Sequence, residues 1–451
     1  MRVTTIKDRR LCGFEVEFPL YNAEKLLGKD NSTPVAEIIP AAKEIVAQLP
    51  KITSTEPLGA FLEYKTAACS NFSDLVRNSA NQIKKLSLKM LEFGIVPGCS
   101  GTIPDKGTNC LTDSSNPYYI FIQKKWNESV STGGVHLNVG SNSDQELFDI
   151  WPFLRVLSSL NLGFTSSSTA LRGEPRYIGK EGHFNHSYRQ LIFPQFPKES
   201  EMPFFKDKNQ FVDWFNKRIK NLKSQTEYKD VNEKYLARLL WNSVRPNGDN
   251  RPFDLNRLEG RTSDNTYLSL IHSSMAFQLC LTEFLSQNMN SLKNFRPQQK
   301  DLDNLEINLL QVGLNGLDGK FENTFNYIFN KDVKTHRQAL KVLLENYLLP
   351  ISEKLGLREQ LQLLVEIAHS ERQTVSEKKI KIYKELSNDI IGHAEKRMTI
   401  EWINDLEEVL NRVNGTKLSL EDYWTELKSQ LNLPQFIFYD FNKGLTGISN
   451  L

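Results

Sequence analysis

Glu15 and Glu17 are separated by a single apolar residue in the stretch Cys12-Gly13-Phe14-Glu15-Val16-Glu17-Phe18. Such alternation predicts a strand with Phe14, Val16 and Phe18 toward a core and both carboxylates on the other face. The strand rise sets the two acids about 7 Å apart. Like charges at that spacing repel unless water screens them or a cation lies between them. Two solvated glutamates would explain this stretch taken alone, but three later stretches repeat the design. Phe61 to Thr66 puts Glu63 and Lys65 on one face and Leu62 and Tyr64 on the other. Gly133 to Gly140 sets His136 and Asn138 against Val135, Leu137 and Val139. After a turn marked by Asn247-Gly248, Arg257, Glu259 and Arg261 share a face.

The polar faces together offer Glu15, Glu17, Glu63, His136 and Glu259 as metal ligands, with Glu56 added from the turn before Glu63. Oxygen-rich ligands with one imidazole suit Mg²⁺ or Mn²⁺, whereas zinc favours more Cys or His. Mg²⁺ is commonly held by a few carboxylates together with substrate phosphates. The chain has no GxxxxGKS/T phosphate loop. If ATP binds, metals and arginines must hold it, and Arg245 and Arg257 are the residues assigned to the nucleotide. The expectation is an antiparallel sheet with one carboxylate-lined face, working in metal-assisted phosphoryl transfer. Plainer readings stand beside it. His136 is a structural histidine, the Arg-Glu-Arg face neutralises itself in solvent, and the basic run Arg172, Arg176, Lys180, His183, His186 and Arg189 is either a solvated loop or an anion site.

Helices must position these faces. Ile39 to Leu49 reads as a helix with Pro40 in its first turn and Pro50 at its end. A second spans Leu75 to Phe93, and residues 94–123, rich in Gly, Pro, Ser and Asn, read as loops. Asp144 is the expected N-cap of a helix to Leu162 that Pro152 should kink or restart. A hydroxyl-rich turn, Thr165 to Thr169, and an amphipathic helix, Phe211 to Leu222, follow. Beyond Tyr267 helical periodicity dominates, with stripes at Leu340, Leu343, Leu344, Tyr347 and Leu348 and at Ile403, Leu406, Leu410 and Val413. Gly415 is the expected C-cap of the last stripe, and Ser419 with Asp422 opens a further helix. The composition shift divides the chain into residues 1–270, carrying the chemistry, and a mainly helical part, 271–451.

Whole-chain properties narrow the class. Across 451 residues, 56 Lys and Arg stand against 54 Asp and Glu, a formal charge of +2. That balance argues against a nucleic-acid partner. The five cysteines form no CxxC pair, so neither a zinc site nor a disulfide framework is expected. No run of about 18 apolar residues predicts a membrane span. Met1 to Arg10 is basic but runs into a charged strand, so no secretory signal is expected and the setting is a reducing cytosol. The sequence is silent on oligomeric state.

Four blocks carry a more specific resemblance: Gly13-Phe-Glu-Val-Glu, Leu62-Glu-Tyr-Lys-Thr, Gly134-Val-His-Leu-Asn-Val-Gly, and the stretch from Val244 to Arg261. With Ile95-Val-Pro-Gly-Cys-Ser, Asn116-Pro-Tyr and His186-Ser-Tyr-Arg-Gln-Leu-Ile-Phe-Pro-Gln, in this order over residues 11–270, they resemble the glutamate–cysteine ligase family, in particular its cyanobacterial-type branch. The resemblance implies an α+β, glutamine-synthetase-like fold, whose antiparallel sheet forms a funnel-shaped site flanked by helices. It implies ATP-dependent activation of the glutamate γ-carboxylate and amide formation with cysteine, all in small-molecule chemistry. By the same resemblance Glu17, His136 and Glu259 match the ligands of the metal that bridges the reacting carboxylate and the γ-phosphate. Glu15 and Glu63, with Glu56, match the nucleotide-side ligands. Arg261 and Arg189 match positions facing the phosphoryl group or substrate carboxylates. Gly260 and Thr262-Ser263 stand where bulkier residues are expected, which leaves the acceptor amine open. A phosphagen-type kinase and a non-catalytic ligand-binding relative are the competing readings.

Overall fold

The computed structural model describes residues 10–23, 35–56, 60–103, 111–125, 132–171, 174–176, 183–192, 198–226, 228–229, 231–240, 242–248, 252–323, 325–329, 332–385 and 390–414. Its centre is a sheet of β1 (Cys12–Asn22), β2 (Thr53–Thr55), β3 (Phe61–Lys65), β4 (Ile95–Pro97), β5 (Gly134–Gly140), β8 (Val244–Asn247) and β9 (Arg257–Asp264). The strand order is β2-β3-β1-β5-β9-β8, and β4 pairs with the far end of β1. Every pairing in it is antiparallel. A separate small ribbon joins β6 (Ala170–Leu171) and β7 (Glu174–Pro175).

The helices in chain order are α1 (Val35–Gln48), α2 (Phe72–Glu92), α3 (Pro117–Lys125), α4 (Asp144–Val156), α5 (Ser158–Thr165), α6 (Tyr188–Ile192), α7 (Lys208–Lys223), α8 (Glu233–Leu239), α9 (Leu268–Leu292), α10 (Gln299–Asn315), α11 (His336–Leu343), α12 (Leu349–Leu355), α13 (Arg358–Ala368), α14 (Val375–Glu385) and α15 (Ile390–Asn414). Several of them, α9 and α15 included, cover the apolar reverse of the sheet. Phe14 meets His272 of α9 edge-on at 5.7 Å, and Phe18 meets Trp402 of α15 at 5.7 Å between ring centroids. One continuous apolar cluster runs from Cys12 on β1 to Leu410 on α15, with the expected stripes at Leu340–Leu348 and Ile403–Leu410 inside it. Gly415, Ser419 and Asp422 lie outside the described residues.

Several expectations shift. Leu268–Phe295 is long and apolar enough to cross a membrane, although serines, Gln278 and Thr282 keep it from being an uninterrupted apolar run. Its apolar window is 89% buried inside the protein, so the composition is that of a core helix. Pro40 falls in the sixth position of α1 instead of its first turn, which costs one intrahelical hydrogen bond. Ser143, not Asp144, caps α4, accepting from Glu146 N at 3.1 Å. Pro152 does not stop α4; the carbonyl its missing N–H leaves over, that of Phe148, accepts from Arg296 Nη2 at 3.4 Å. The break comes at Leu157. Residues 94–123 hold β4 and the start of α3 as well as loops.

Arg10 ties the entry of β1 to two helices. Its Nη1 donates to Glu146 Oε2 of α4 at 2.9 Å, its Nε donates to Glu283 of α9, and Ser286 Oγ donates to Glu146 at 2.6 Å. Burial works to raise the Glu146 carboxyl, but the hydrogen bonds from Arg10 and Ser286 outweigh it and bring it from 4.5 down to about 2. A carboxyl depressed on folding contributes stability that is present above its unfolded value and lost as pH falls through its folded value. Glu146→Gln is therefore expected to cost roughly 2 kcal/mol at neutral pH, after allowance for solvent screening. The loss should vanish as pH falls from about 4.5 toward 2, as read by urea unfolding across that range. A variant with the wild-type acid limb would contradict this account.

Candidate active site

The polar residues of β1, β3, β5, β8 and β9 are brought together by register. Glu15 stands opposite Lys65 on one side and His136 on the other, and Glu17 stands opposite Glu63. Glu259 stands between Asn138 and Arg245. His136, 4% exposed, is the hub. Its Nδ1 lies 3.2 Å from Glu15 and 3.8 Å from Glu259, and its Nε2 lies 3.8 Å from Glu17. Two sets of ligand atoms each fall within 4.8 Å of one another, Glu15–His136–Glu259 and Glu17–Glu63–His136. The pairing by resemblance joined Glu17 to Glu259 and Glu15 to Glu63. In the fold His136 is in register with Glu15 and Glu63 with Glu17, while Glu17 and Glu259 both lie beside His136. The shared imidazole and the oxygen-rich remainder fit Mg²⁺ or Mn²⁺.

The two ends of this face carry opposite electrostatics. Burial works to raise the Glu259 carboxyl, but the charges of Arg245 and Arg261, with His136, hold it well below the usual range. Arg245 donates through Nε at 2.8 Å and Nη2 at 3.2 Å, while Arg261 and Asn247 donate as well. Glu15 is also lowered: burial opposes, and the hydrogen bond and charge of His136 prevail. At the other end burial and the charge of Glu15 raise Glu63, with Lys65 opposing from 2.8 Å. Half-buried Glu56 is raised furthest, by burial and then by Glu17 and Glu63. The Glu259 end brings its own cations. Among the described residues the Glu56–Glu63 end has a single lysine and an excess of negative charge, the condition under which a divalent ion is taken up.

Of the residues expected at the site, Arg245 and Arg261 converge on Glu259. Arg257 lies farther along, donating from Nε to Asn138 Oδ1 at 3.1 Å. Arg189 is 2% exposed and donates to backbone carbonyls of β9. The described members of the basic run do not gather at one point. Arg176 lies over the Tyr188 ring, His183 meets Asn315 on α10, and His186 meets Ser376 on α14, while Arg172 and Lys180 are outside the described residues. Sequence reasoning missed Ser54, whose hydroxyl donates to Glu63, and Asn247 on Glu259. It also missed the backbone N–H of Gly134, which donates to Glu17 Oε2 at 2.6 Å. None of these three carries a charge, and although Gly134 and Asn247 fall within the quoted blocks, nothing in those blocks marks them as partners of a carboxylate. At one edge Tyr118 of α3 packs on Tyr235 of α8 at 5.0 Å, with Arg238 5.7 Å from the Tyr118 ring.

The helix-backed antiparallel sheet with one carboxylate-lined face has the glutamine-synthetase-like fold, and the family match that follows makes the chain a carboxylate–amine ligase. The chain belongs to glutamate-cysteine ligase family 2, whose sequence model matches residues 11–339. Among solved structures, the chain superposes on the glutamate–cysteine ligase GshA of Francisella tularensis, determined in complex with AMP, with a TM-score of 0.62 at 12% identity, covering 97% of this chain and 99% of that one. A bifunctional glutathione synthetase of Pasteurella multocida gives 0.56 at 16% identity, covering 94% of this chain and 56% of that one. No curated protein matches by sequence.

The charge asymmetry makes opposite predictions for isosteric changes in metal-free protein. Glu56→Gln removes a carboxylate that folding disfavours, so its melting temperature should rise. Glu259→Gln strands two arginines in a buried site and should cost about 3 kcal/mol. Differential scanning calorimetry in chelator reads both, and shifts of the same sign would refute the asymmetry. With divalent ions restored, Glu17→Gln, His136→Ala and Glu259→Gln should each lower turnover roughly a hundredfold or more.

Proposed function

We propose that this protein joins the γ-carboxylate of glutamate to the amine of cysteine at the expense of ATP, giving γ-glutamylcysteine, the first step of glutathione synthesis. The observation that carries this reading is the pair of ligand sets meeting at His136 on one sheet face, with Arg245 and Arg261 beside them. We assign the chemistry to residues 1–270 and a supporting role to 271–451, and we place the protein in the cytoplasm.

A carboxylate is a poor acyl donor because its leaving group would be oxide. Conversion of that oxygen to phosphate makes displacement by an amine feasible. Glu15, His136 and Glu259, and Glu17, Glu63 and His136, with Glu56 nearby, are the residues that would hold Mg²⁺ or Mn²⁺, which would supply positive charge for the nucleotide phosphates and the reacting carboxylate. Arg261 pairs with oxygens of the transferring phosphoryl group, and Arg245 and Arg257 complete the positive side of the nucleotide site. The Glu259 carboxylate holds two of these guanidiniums in place before substrate arrives, so little reorganisation is left for the reaction. The amine attacks as its free base, with a carboxylate of the same face accepting the proton.

ADP release in the presence of Mg²⁺ and ATP should require both glutamate and an amine, with cysteine the first candidate among acceptors. Full-rate release without an amine would count against ligation. Glutamate labelled with ¹⁸O in its γ-carboxylate should pass one labelled oxygen to the released phosphate, and unlabelled phosphate would exclude the γ-glutamyl phosphate. Arg261→Lys should slow this step, since an ammonium cannot reproduce a planar two-pronged contact.

A further inference from the structure

Strand β9 carries one residue more than β5 can match. Val135 pairs with Ser263 and Leu137 with Gly260, so Arg261 and Thr262 together face His136 alone. A bulge of this kind leaves backbone groups without ladder partners and re-aims the side chains around it. Here it reverses the alternation along β9. Glu259, before it, and Arg261, within it, point to the ligand face. After it Ser263 turns away to accept from Asn161 at 2.7 Å, and Asp264 comes round to the side of Gly134.

Arg189 fills the space this creates. Its Nη1 donates to Thr262 O at 3.3 Å and its Nη2 to Arg261 O at 3.2 Å, the two carbonyls of the bulge. The guanidinium lies 3.8 Å from Asp264, and its own backbone N–H donates to Ser168 Oγ, which in turn donates to Asp264 at 2.7 Å. Asp264 is fixed further by Ser167 N at 2.9 Å and Ser187 Oγ at 3.1 Å. On its other flank Arg189 packs against Gly134, where a Cβ would come within 2.4 Å of Nη2. Gly134 is the residue whose N–H holds Glu17. The guanidinium thus touches both the segment that aims Arg261 at Glu259 and the segment that anchors Glu17.

We infer that Arg189 is a positioning residue that sets the spacing between the Glu17 and Glu259 halves of the ligand face by clamping the β9 bulge, without contacting substrate. This rests on the reading of that face as a divalent-metal site. A lysine would keep the charge beside Asp264 but could not reach two carbonyls from one planar group. Gly134→Ala approaches the same contact from the opposite side and leaves Arg189 unchanged.

The test is Mn²⁺ binding to nucleotide-free protein, followed by electron paramagnetic resonance, with steady-state kinetics alongside. Arg189→Lys and Gly134→Ala are both expected to weaken Mn²⁺ binding by about tenfold or more, as loss of a group that orients metal ligands commonly does. Turnover should fall in parallel while KM for glutamate stays at the wild-type value. Wild-type Mn²⁺ affinity with a raised KM for glutamate in Arg189→Lys would overturn the inference and make Arg189 a substrate contact. If either variant fails to fold by circular dichroism, Ser168→Ala, which frees the Arg189 backbone from Asp264, should show a smaller loss in the same direction. Unchanged Mn²⁺ affinity in that variant would also count against the clamp. Wild-type protein that binds no Mn²⁺ would overturn the metal-site reading itself, which is a separate result.

Discussion

Mutual repulsion among carboxylates is the constraint around which this molecule is built. Glu15, Glu17, Glu56, Glu63 and Glu259 crowd one side of a sheet, where each raises the cost of ionising its neighbours. They stay there because the reverse of the same strands is buried. A strand cannot turn Glu15 away without exposing Phe14, Val16 and Phe18, each at most 1% exposed. Apolar burial on one face thus holds an unfavourable charge distribution on the other. What relieves the repulsion among the described residues differs along the sheet, with two arginines and an asparagine at Glu259 and a lysine at Glu63. That difference makes one end of the face preorganised and the other receptive.

The faces themselves were legible in the sequence. Period-two alternation names the inward and outward residues of β1, β3, β5 and β9 without any knowledge of which strand lies beside which. Register was not legible, because it depends on pairing between residues far apart in the chain. Hence the placement of His136 opposite Glu15 could not be read from either strand alone. The bulge was hidden for a related reason. It exists only as a mismatch between two strands, and the phase reversal that delivers Asp264 to Arg189 cannot be seen in β9 alone. The basic run from Arg172 to Arg189 misled in the other direction. Proximity in sequence counted for little once the chain turned His183 and His186 toward the C-terminal helices and Arg189 under the sheet.

The helical part after Tyr267 is continuous with the core in a way composition could not reveal. Buried Lys379 of α14 pairs with Glu395 of α15 at 2.6 Å and donates to Cys99 O at 3.1 Å, while Tyr21 of β1 donates to Glu395. These are fully desolvated charges, and either partner left alone would be costly. Helix and sheet are therefore matched through polar contacts of fixed geometry as well as through apolar packing.

The strand order has a consequence for how the chain reaches its native state. The first strand made, β1, lies in the middle of the sheet, and the strands on its β5 side, β9 and β8, come from beyond residue 240. Pairing at such separations closes long loops before it returns any energy, which slows folding. A ribosome-bound chain that has emitted only β1 to β5 already presents Glu15, Glu17, Glu56 and Glu63, but has neither Glu259 nor Arg245, Arg257 and Arg261, which arrive with β8 and β9. The charge distribution that serves the mature site is in that interval an unbalanced one, and the late arrival of β8 and β9 completes the sheet and its electrostatic balance in the same event.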